Sequence, residues 1–412
     1  MKANLILKNT LLGFTSLALM QSSNLDAMSP SQGLRTAGLF HFAYQDGQRG
    51  STFANTNNQG GSSSFSVGQL TLFLDADIRE DMYFTGEIQS DLFTTTGTQR
   101  DFYIRSAAVT VTDLKKWNTN LQFGKFNSVF GSFVDRRLSI DNPLFDAPLA
   151  YSQHVNIDPS SGWVSPDALN TRAGVPFRAI TLAGRNLSST GVKLFNRIRG
   201  TKLSYAASIT NNPASNNKDV NVNNGLTVAT KLHWQANHSA GFGMSLSQGG
   251  YLDNLNNLVV GQTISAAQFA RRLDTSNYKQ TKLGLHFKWK RSRYQIHSEY
   301  ISSAFEVPNN PTDEEITANS VYVEGKYDFT KNFFAAGRFD AMNFENKNYA
   351  PIFTQGLGAQ KWDDDVTRIE LGVGNYINES TLAKFTYQTT DYDRQTFNPD
   401  FDLVSGSVTV VF

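Results

Sequence analysis

The sequence predicts an all-β fold: one transmembrane antiparallel β-barrel of about sixteen strands, with a long third loop folded into the lumen. Three observations predict it. Segments of roughly ten residues alternate in polarity along almost the whole chain. The connections between them alternate between short and long. The last segment runs flush to the C-terminus and stops on an aromatic residue, Phe412.

The chain begins with a different kind of segment. Lys2 and Lys8 give a positive start, Leu11 to Met20 is apolar, and Gln21 to Ala27 is polar. This is the order of a secretory signal, so residues 1–27 are expected to be removed and 28–412 to form the barrel. Cleavage after Ala27 is imperfectly supported, because Leu25 is larger than the residue usual there. No later segment reaches about 18 apolar residues in a row, the length a membrane-spanning helix needs. Aromatics make up 12% of the chain while its mean hydropathy is negative. An apolar outer face averaged against a polar lumen and polar loops gives that combination.

The strands are predicted in order as Leu34–Tyr44, Phe65–Asp77, Met82–Phe93, Asp101–Thr112, Trp117–Phe126, Ser189–Arg199, Lys202–Thr210 and Leu226–Trp234. Then follow Ala240–Ser247, Thr281–Lys290, Arg293–Ser302, Ser320–Asp328, Asn332–Asp340, Val366–Tyr376, Thr381–Gln388 and Asp402–Phe412. The short connections are Ile78–Asp81, Asp113–Lys116, Gly200–Thr201, Gln235–Ser239, Arg291–Ser292, Phe329–Lys331 and Ile377–Ser380, with a long one between each. Short turns on one side and long loops on the other are the asymmetry of a barrel in a membrane, and an even strand number puts both chain ends on the side of the short turns.

Individual strands declare their faces. Leu283, Leu285, Phe287 and Trp289 share one side, and Lys282, His286, Lys288 and Lys290 the other. Leu226, Val228, Leu232 and Trp234 oppose Thr227, Lys231 and His233, and Phe84, Ile88 and Leu92 oppose Thr85, Glu87, Gln89 and Asp91. No second layer is available to cover the apolar faces, so they face lipid and the polar faces enclose water. Trp117, Trp234, Trp289, Tyr327 and Phe329 abut short turns and are expected at the level of lipid headgroups. Asp101–Thr112 has no decisive outer face, and its small Ser106, Ala107 and Ala108 suit contact with another barrel.

The C-terminus fits the same picture. Val408, Val410 and Phe412 alternate with smaller or polar neighbours. A terminal strand of this kind closes a barrel against its first strand and removes the open edge that lipid cannot satisfy. Bacterial outer-membrane proteins carry an assembly signal there ending in Phe. The glycine of that signal is expected at 407, but Ser407 holds the place and Gly406 sits one residue early.

Residues that carry chemistry are sparse. There is no Cys, hence no disulfide or thiolate. The formal net charge of +1 gives no basis for nucleic-acid binding. The six His are scattered without metal-ligand spacing. Gly241-Phe-Gly243 lies in a strand after a turn, without the context of a dinucleotide site, and reads as room for tight packing. A barrel-embedded lipase needs a paired Ser and His near the rim, and no such pair stands out. The expectation is no enzyme activity, cofactor or metal.

The distinctive element is the connection Asn127–Ser188 after the fifth strand. A loop this long in a compact domain is usually functional. It is entered through Gly124-Lys-Phe-Asn-Ser-Val-Phe-Gly131, continues Asp135-Arg-Arg137, and carries Pro143, Pro148 and several aromatics. The pattern Gly-Lys-Phe-x-x-x-Phe-Gly resembles the segment entering the third loop of the phosphate-selective porin family and its dicarboxylate-channel relatives. That resemblance implies a sixteen-stranded trimeric porin with basic residues guiding the substrate. It covers this motif, the strand count, the loop placement and the terminal Phe. The chain shows no run of closely spaced Lys or Arg of the kind that marks a phosphate ladder, so phosphate selectivity does not carry over.

Charge at lumen parity leans slightly basic, and the loop adds Arg136, Arg137, Arg172, Arg178 and Arg185. The residues expected to line the constriction or set selectivity are Arg136, Arg137, Arg172 and Arg178 of the loop, with Lys282, Lys288, Glu87 and Asp91 on the wall. Two roles are open to Arg136 and Arg137: contact with permeating ions, or anchorage of the loop to wall carboxylates such as Glu87 or Asp91. The functional expectation is passive diffusion of small hydrophilic solutes, with a mild anion preference, across a bacterial outer membrane by a homotrimer. The alternative is a barrel whose long loops make it an adhesin or surface scaffold.

Overall fold

A computed structural model describes residues 33–47, 63–91, 102–114, 118–155, 157, 180–184, 187–211, 225–252, 278–307, 315–347, 360–393 and 401–412. Sixteen strands close into one antiparallel barrel. They are β1 (Arg35–Gly47), β2 (Ser64–Arg79), β3 (Met82–Asp91), β4 (Phe102–Val111), β5 (Asn120–Asn127), β6 (Ser188–Arg197), β7 (Leu203–Thr210) and β8 (Thr227–Gln235). The circle continues with β9 (Ala240–Gly250), β10 (Lys279–Arg291), β11 (Tyr294–Glu306), β12 (Glu315–Asp328), β13 (Phe333–Phe344), β16 (Asp365–Asn378), β17 (Thr381–Asp393) and β18 (Phe401–Val411). A separate two-stranded ladder, β14 (Asn346–Lys347) with β15 (Gln360–Lys361), lies in the connection between β13 and β16.

Closure is made by β1 against β18, in register from Leu39 with Val411 to Gly47 with Leu403. One residue further, the Gly38 amide donates to the Phe412 carbonyl at 2.6 Å, and the Phe412 amide to the Gly38 carbonyl at 2.9 Å. The Phe412 ring covers Gly38 so closely that a Cβ there would lie 2.3 Å from it. The terminal aromatic thus seals the seam over a glycine that leaves room for it, while Ser407 is buried on the lumen side.

The burial pattern is that of a barrel in lipid. Apolar side chains are outside: Leu226, Val228, Leu232 and Trp234 are exposed, as are Phe242, Leu285, Phe339 and Phe385. Charged side chains are inside: Glu87, Lys282, Glu299, Glu324, Arg338, Arg368 and Glu370 are all buried. At the short-turn end the outward aromatics touch one another. Trp234 stacks on Phe242, which meets Phe287, and Tyr294, Tyr327, Phe329 and Phe333 follow in a chain of ring contacts. Trp117 lies outside the described residues.

The structure corrects the sequence reading in three places. The fifth strand begins at Asn120, not Trp117. Asp113 and Asn118 take left-handed backbone (φ 47° and 45°), and the Leu114 amide closes the turn on Thr119 O at 2.9 Å, so the connection is longer than four residues. The second correction concerns β4. It pairs Ser106 with Glu87 but Ile104 with Ile88, which leaves Arg105 as the extra residue of a β-bulge. Before the bulge Phe102 and Ile104 are exposed; after it Ala108 and Thr110 are buried. The outward parity changes hand within one strand, which is why the sequence showed no decisive face.

The third correction is at the long-loop end. β11, β12, β13 and β17 continue four or five residues past their predicted ends, to Glu306, Glu315, Phe344 and Asp393. Here the pattern inverts. Inward Ile301, Phe305, Ile316, Met342 and Phe344 are buried, while Asn343, Asp391 and Asp393 point out to solvent. Lipid no longer covers the outside at this height, and the inside must cover a loop.

Candidate functional site

The described residues of the loop between Ser128 and Leu187 lie inside the barrel and form a core with the inner wall. Phe130, Phe133, Leu149, Tyr151 and Leu182 are buried against Ile301, Phe305, Tyr322, Met342 and Trp362. Each such side chain fully removed from water contributes about 1.5–3 kcal/mol, so the loop is held by burial as well as by polar contacts. The entry motif has a conformational reason. Gly124 and Gly131 take φ of 119° and 85°, and a Cβ on Gly131 would lie 2.1 Å from the Tyr151 hydroxyl. Only glycine serves at either place.

Wall carboxylates receive the loop's backbone donors. Glu299 accepts from the Ser132 amide (2.7 Å) and the Tyr151 hydroxyl (2.8 Å). Glu370 accepts from the Phe145 and Asp146 amides at 2.8 and 3.2 Å. Asp340 accepts from Leu149 at 3.1 Å, the first residue of the short helix α1 (Leu149–Ser152). Wall cations take the loop's carbonyls. Lys384 donates to Ser139, Asn142 and Leu144 at 2.9, 2.9 and 2.8 Å. Lys282 donates to Ala183 at 3.0 Å, Lys231 to Gly131 at 2.8 Å, and Arg368 to Ala147 at 2.5 Å.

Beneath the loop the wall charges neutralise one another. Arg338, fully buried, donates to Glu370 (2.6 Å), Asp340 (2.9 Å) and Glu324 (3.3 Å). Arg136, in the 3-10 turn Phe133–Arg136, pairs with Glu324 and also reaches the Tyr322 hydroxyl at 3.2 Å. Arg137 pairs with Glu87, whose other oxygen lies 3.7 Å from Arg105. Arg136 and Arg137 are therefore both in ion pairs that tie the loop to opposite sides of the barrel.

A different environment surrounds Asp135. It is 39% exposed to lumen water, with Lys231 at 3.4 Å and Lys288 at 3.5 Å. Burial acts to raise its carboxyl, and Lys231 and Lys288 outweigh this and hold it well below the usual carboxylate range. Lys193 stands nearby on β6, its ammonium over the rings of Phe126 and Phe195 at 5.0 and 4.9 Å. His233 and His286 stack in parallel at 5.4 Å between centroids, above β9. A Cβ at Gly243 would lie 2.1 Å from His286, so the Gly-Phe-Gly segment is the room these rings occupy. Three lysines against one carboxylate leave this face positive. On β1–β3 and β17–β18 the lumen-facing Gln45, Thr71, Gln89, Gln388 and Ser405 each carry a polar atom without a protein partner among the described residues. Such atoms need water.

Of the predicted wall residues, Lys282 contacts the loop and Lys288 faces Asp135, while the side chain of Asp91 lies outside the described residues, as do Arg172 and Arg178. Lys384, Glu299, Asp340 and Glu370 hold more of the loop than Glu87 does. All four are buried on the inward face, but their partners are far away in sequence and no local pattern joins them. Asp141 faces the recess on the short-turn side of the loop, lined also by Arg136, Pro143, His297 and Lys326. Burial pushes its carboxyl up to about 6, against the opposing pull of Arg137, Lys384 and Arg136.

No protein-family model matches this chain, and no curated protein matches it by sequence. Solved structures do match it in fold. A loop-deletion form of OmpT, an outer-membrane protein of Vibrio cholerae, superposes with a TM-score of 0.57 at 12% identity, over 92% of this chain and 99% of that one. The outer-membrane channel DcaP of Acinetobacter baumannii gives 0.56 at 12% identity, over 94% and 100%. An anion-selective porin from Comamonas acidovorans gives 0.54 at 8% identity, over 92% and 99%. At such identities the likeness is one of fold. The closed even-stranded barrel, its apolar outer band and its sealed C-terminal seam are those of a protein of the bacterial outer membrane.

Proposed function

We propose that this chain is an outer-membrane porin through which small hydrophilic solutes diffuse passively, with a mild preference for anions. The observation that carries this reading is the division of labour among the lumen charges. Most are consumed in fixing the loop, and those left facing lumen water are predominantly cations: Lys193 and Lys288 near Asp135, with Lys231 shared between that carboxylate and the Gly131 carbonyl of the loop. Fixed positive charge in a narrow aqueous passage attracts anions and repels cations. In this reading Arg136, Arg137, Lys282 and Glu87 set the width of the passage by holding the loop. Lys288 acts on the solute directly, and Arg172, Arg178 and Asp91 belong to the same constriction. Residues 1–27 serve as the secretory signal, and the working assembly is a homotrimer with the first strands and the last at the contact.

Liposome swelling with solutes of matched size tests the proposal. Vesicles containing the protein should swell in small sugars, and faster in gluconate than in glucosamine. No swelling with any solute would mean a scaffold or adhesin in place of a channel. Equal rates for the two charged solutes would remove the anion preference. Native mass spectrometry in mild detergent checks the trimer, and a monomer alone would contradict it.

A further inference from the structure

We propose that the periplasmic ends of β6 to β11 form a binding site for the phosphate headgroups of anionic phospholipids, in the leaflet that faces the periplasm. Six exposed cations crowd this arc of the rim: Arg197, Arg199 and Lys202 at the turn between β6 and β7, and Lys290, Arg291 and Arg293 at the turn between β10 and β11. Neither turn contains a carboxylate, nor does the turn 236–239 between them. The two groups border that middle turn. Lys202 reaches the Ala236 carbonyl at 2.9 Å, and the Lys290 amide bonds Ser239 at 2.8 Å. Elsewhere on the same rim two cations come with their own carboxylates, Arg79 with Asp81 at 2.7 Å and Lys326 with Asp328 at 2.9 Å. The arc is therefore a local excess of charge and not a general feature of the turns.

Two further observations select lipid as the occupant. An open recess of about 460 Å³ lies at the first turn, lined by Arg197, Arg199 and Lys202 with Asn118 and Asn196. Beside it Ile198 is 42% exposed on a turn that needs no apolar residue. Immediately above the arc on the outward face, Trp234, Phe242 and Phe287 form a continuous aromatic shelf, and Tyr294 pairs with Arg291 across the β10–β11 hairpin. Amphipathic rings mark the headgroup level. Arg291 continues the outward face of β10 below the shelf, while Arg197 and Lys290 sit at strand ends on the inward parity of the same rim, and a basic cluster at a membrane surface favours anionic lipid. A soluble acidic partner would gain from the cations but not from the shelf.

The test uses tryptophan quenching by brominated lipids in vesicles carrying the full-length protein, since Trp234 and Trp289 sit at the shelf. Brominated phosphatidylglycerol should compete at least about fivefold better than brominated phosphatidylcholine, the increment of one cation at such a surface. The preference should decline in 1 M salt, where the Debye length is about 3 Å. It should vanish when all six cations are replaced by Gln and persist in the control R79Q/K331Q. A ratio near one in the unmodified protein, or a preference equally strong in the six-residue variant, would overturn the proposal. So would its loss on adding inorganic phosphate at fixed low ionic strength, which would mean a site for free anions. Should the six-residue variant not assemble, the two three-residue variants and the salt titration of the unmodified protein decide the matter.

Discussion

Lys384→Met is the sharpest perturbation of the loop. The ammonium is buried and donates to three loop carbonyls, Ser139, Asn142 and Leu144, at 2.9 Å or less. A hydrogen bond involving a charged group contributes about 1.5–3 kcal/mol net. The three bonds share one charge, and lumen water can replace part of them, so the loss in local docking should be about 2–4 kcal/mol. The loop will not leave the barrel, because Phe130, Phe133, Leu149 and Tyr151 remain in their apolar core. The barrel wall is also spared, since the backbone of residue 384 keeps its pairing with Ser407. Residues 139–144 should loosen. In single-channel recording the variant should show a larger mean conductance and more open-channel noise, and in limited proteolysis faster cleavage within this stretch. Lys384→Arg should restore most of both. Unchanged conductance, noise and cleavage in the Met variant would refute the claim that wall cations fix the loop.

Replacing Arg136 and Arg137 together with Gln leaves Glu324 and Glu87 without those partners; breaking a buried ion pair costs about 3–5 kcal/mol, so the expected outcome is a noisier, wider channel, and an unchanged record would remove both residues from the mechanism. Replacing Lys193 and Lys288 with Gln should lower the anion/cation permeability ratio while conductance noise stays the same; an unaltered ratio would place selectivity elsewhere. Asp141 gives a pH dependence: burial raises its carboxyl to about 6 from an ordinary 3.8, so the native state takes up this proton before the unfolded chain does. Its contribution to stability therefore increases as pH falls through 6 toward 3.8 and is lost as pH rises, and the lumen gains one positive charge; anion preference should step up below pH 6 and Asp141→Asn should abolish the step. Gly38→Leu places a side chain where the Phe412 ring lies and should slow barrel assembly, measured by heat-modifiable electrophoretic mobility, whereas substitution at Gly325, which has open space around it, should not.

Much of the barrel is legible in the sequence because lipid and water impose a two-residue period on every strand. Leu283, Leu285 and Phe287 against Lys282 and His286 leave one choice of face. The reading fails where that pairing of solvents changes. At Arg105 an extra residue shifts the parity within β4, and nothing local marks it. Above Tyr300 the outside meets water and the inside meets the loop, so Phe305, Ile316 and Met342 invert the pattern and the strands look finished too early. The loop is legible as an element, through its length and the glycines of its entry motif, but its attachment is not. Glu299 and Ser132 are 167 residues apart, and only the closed barrel brings them together. For the same reason lumen charges that looked equivalent in sequence divide into anchors, such as Lys384 and Glu370, and those left facing water, such as Lys288.

Single-channel recording of the unmodified protein in a planar bilayer with a salt gradient tests the central claim most directly. Stable, discrete open steps with a reversal potential displaced toward the anion equilibrium potential are the expected result. A membrane that stays silent at all voltages, or a reversal potential displaced toward the cation, would contradict it.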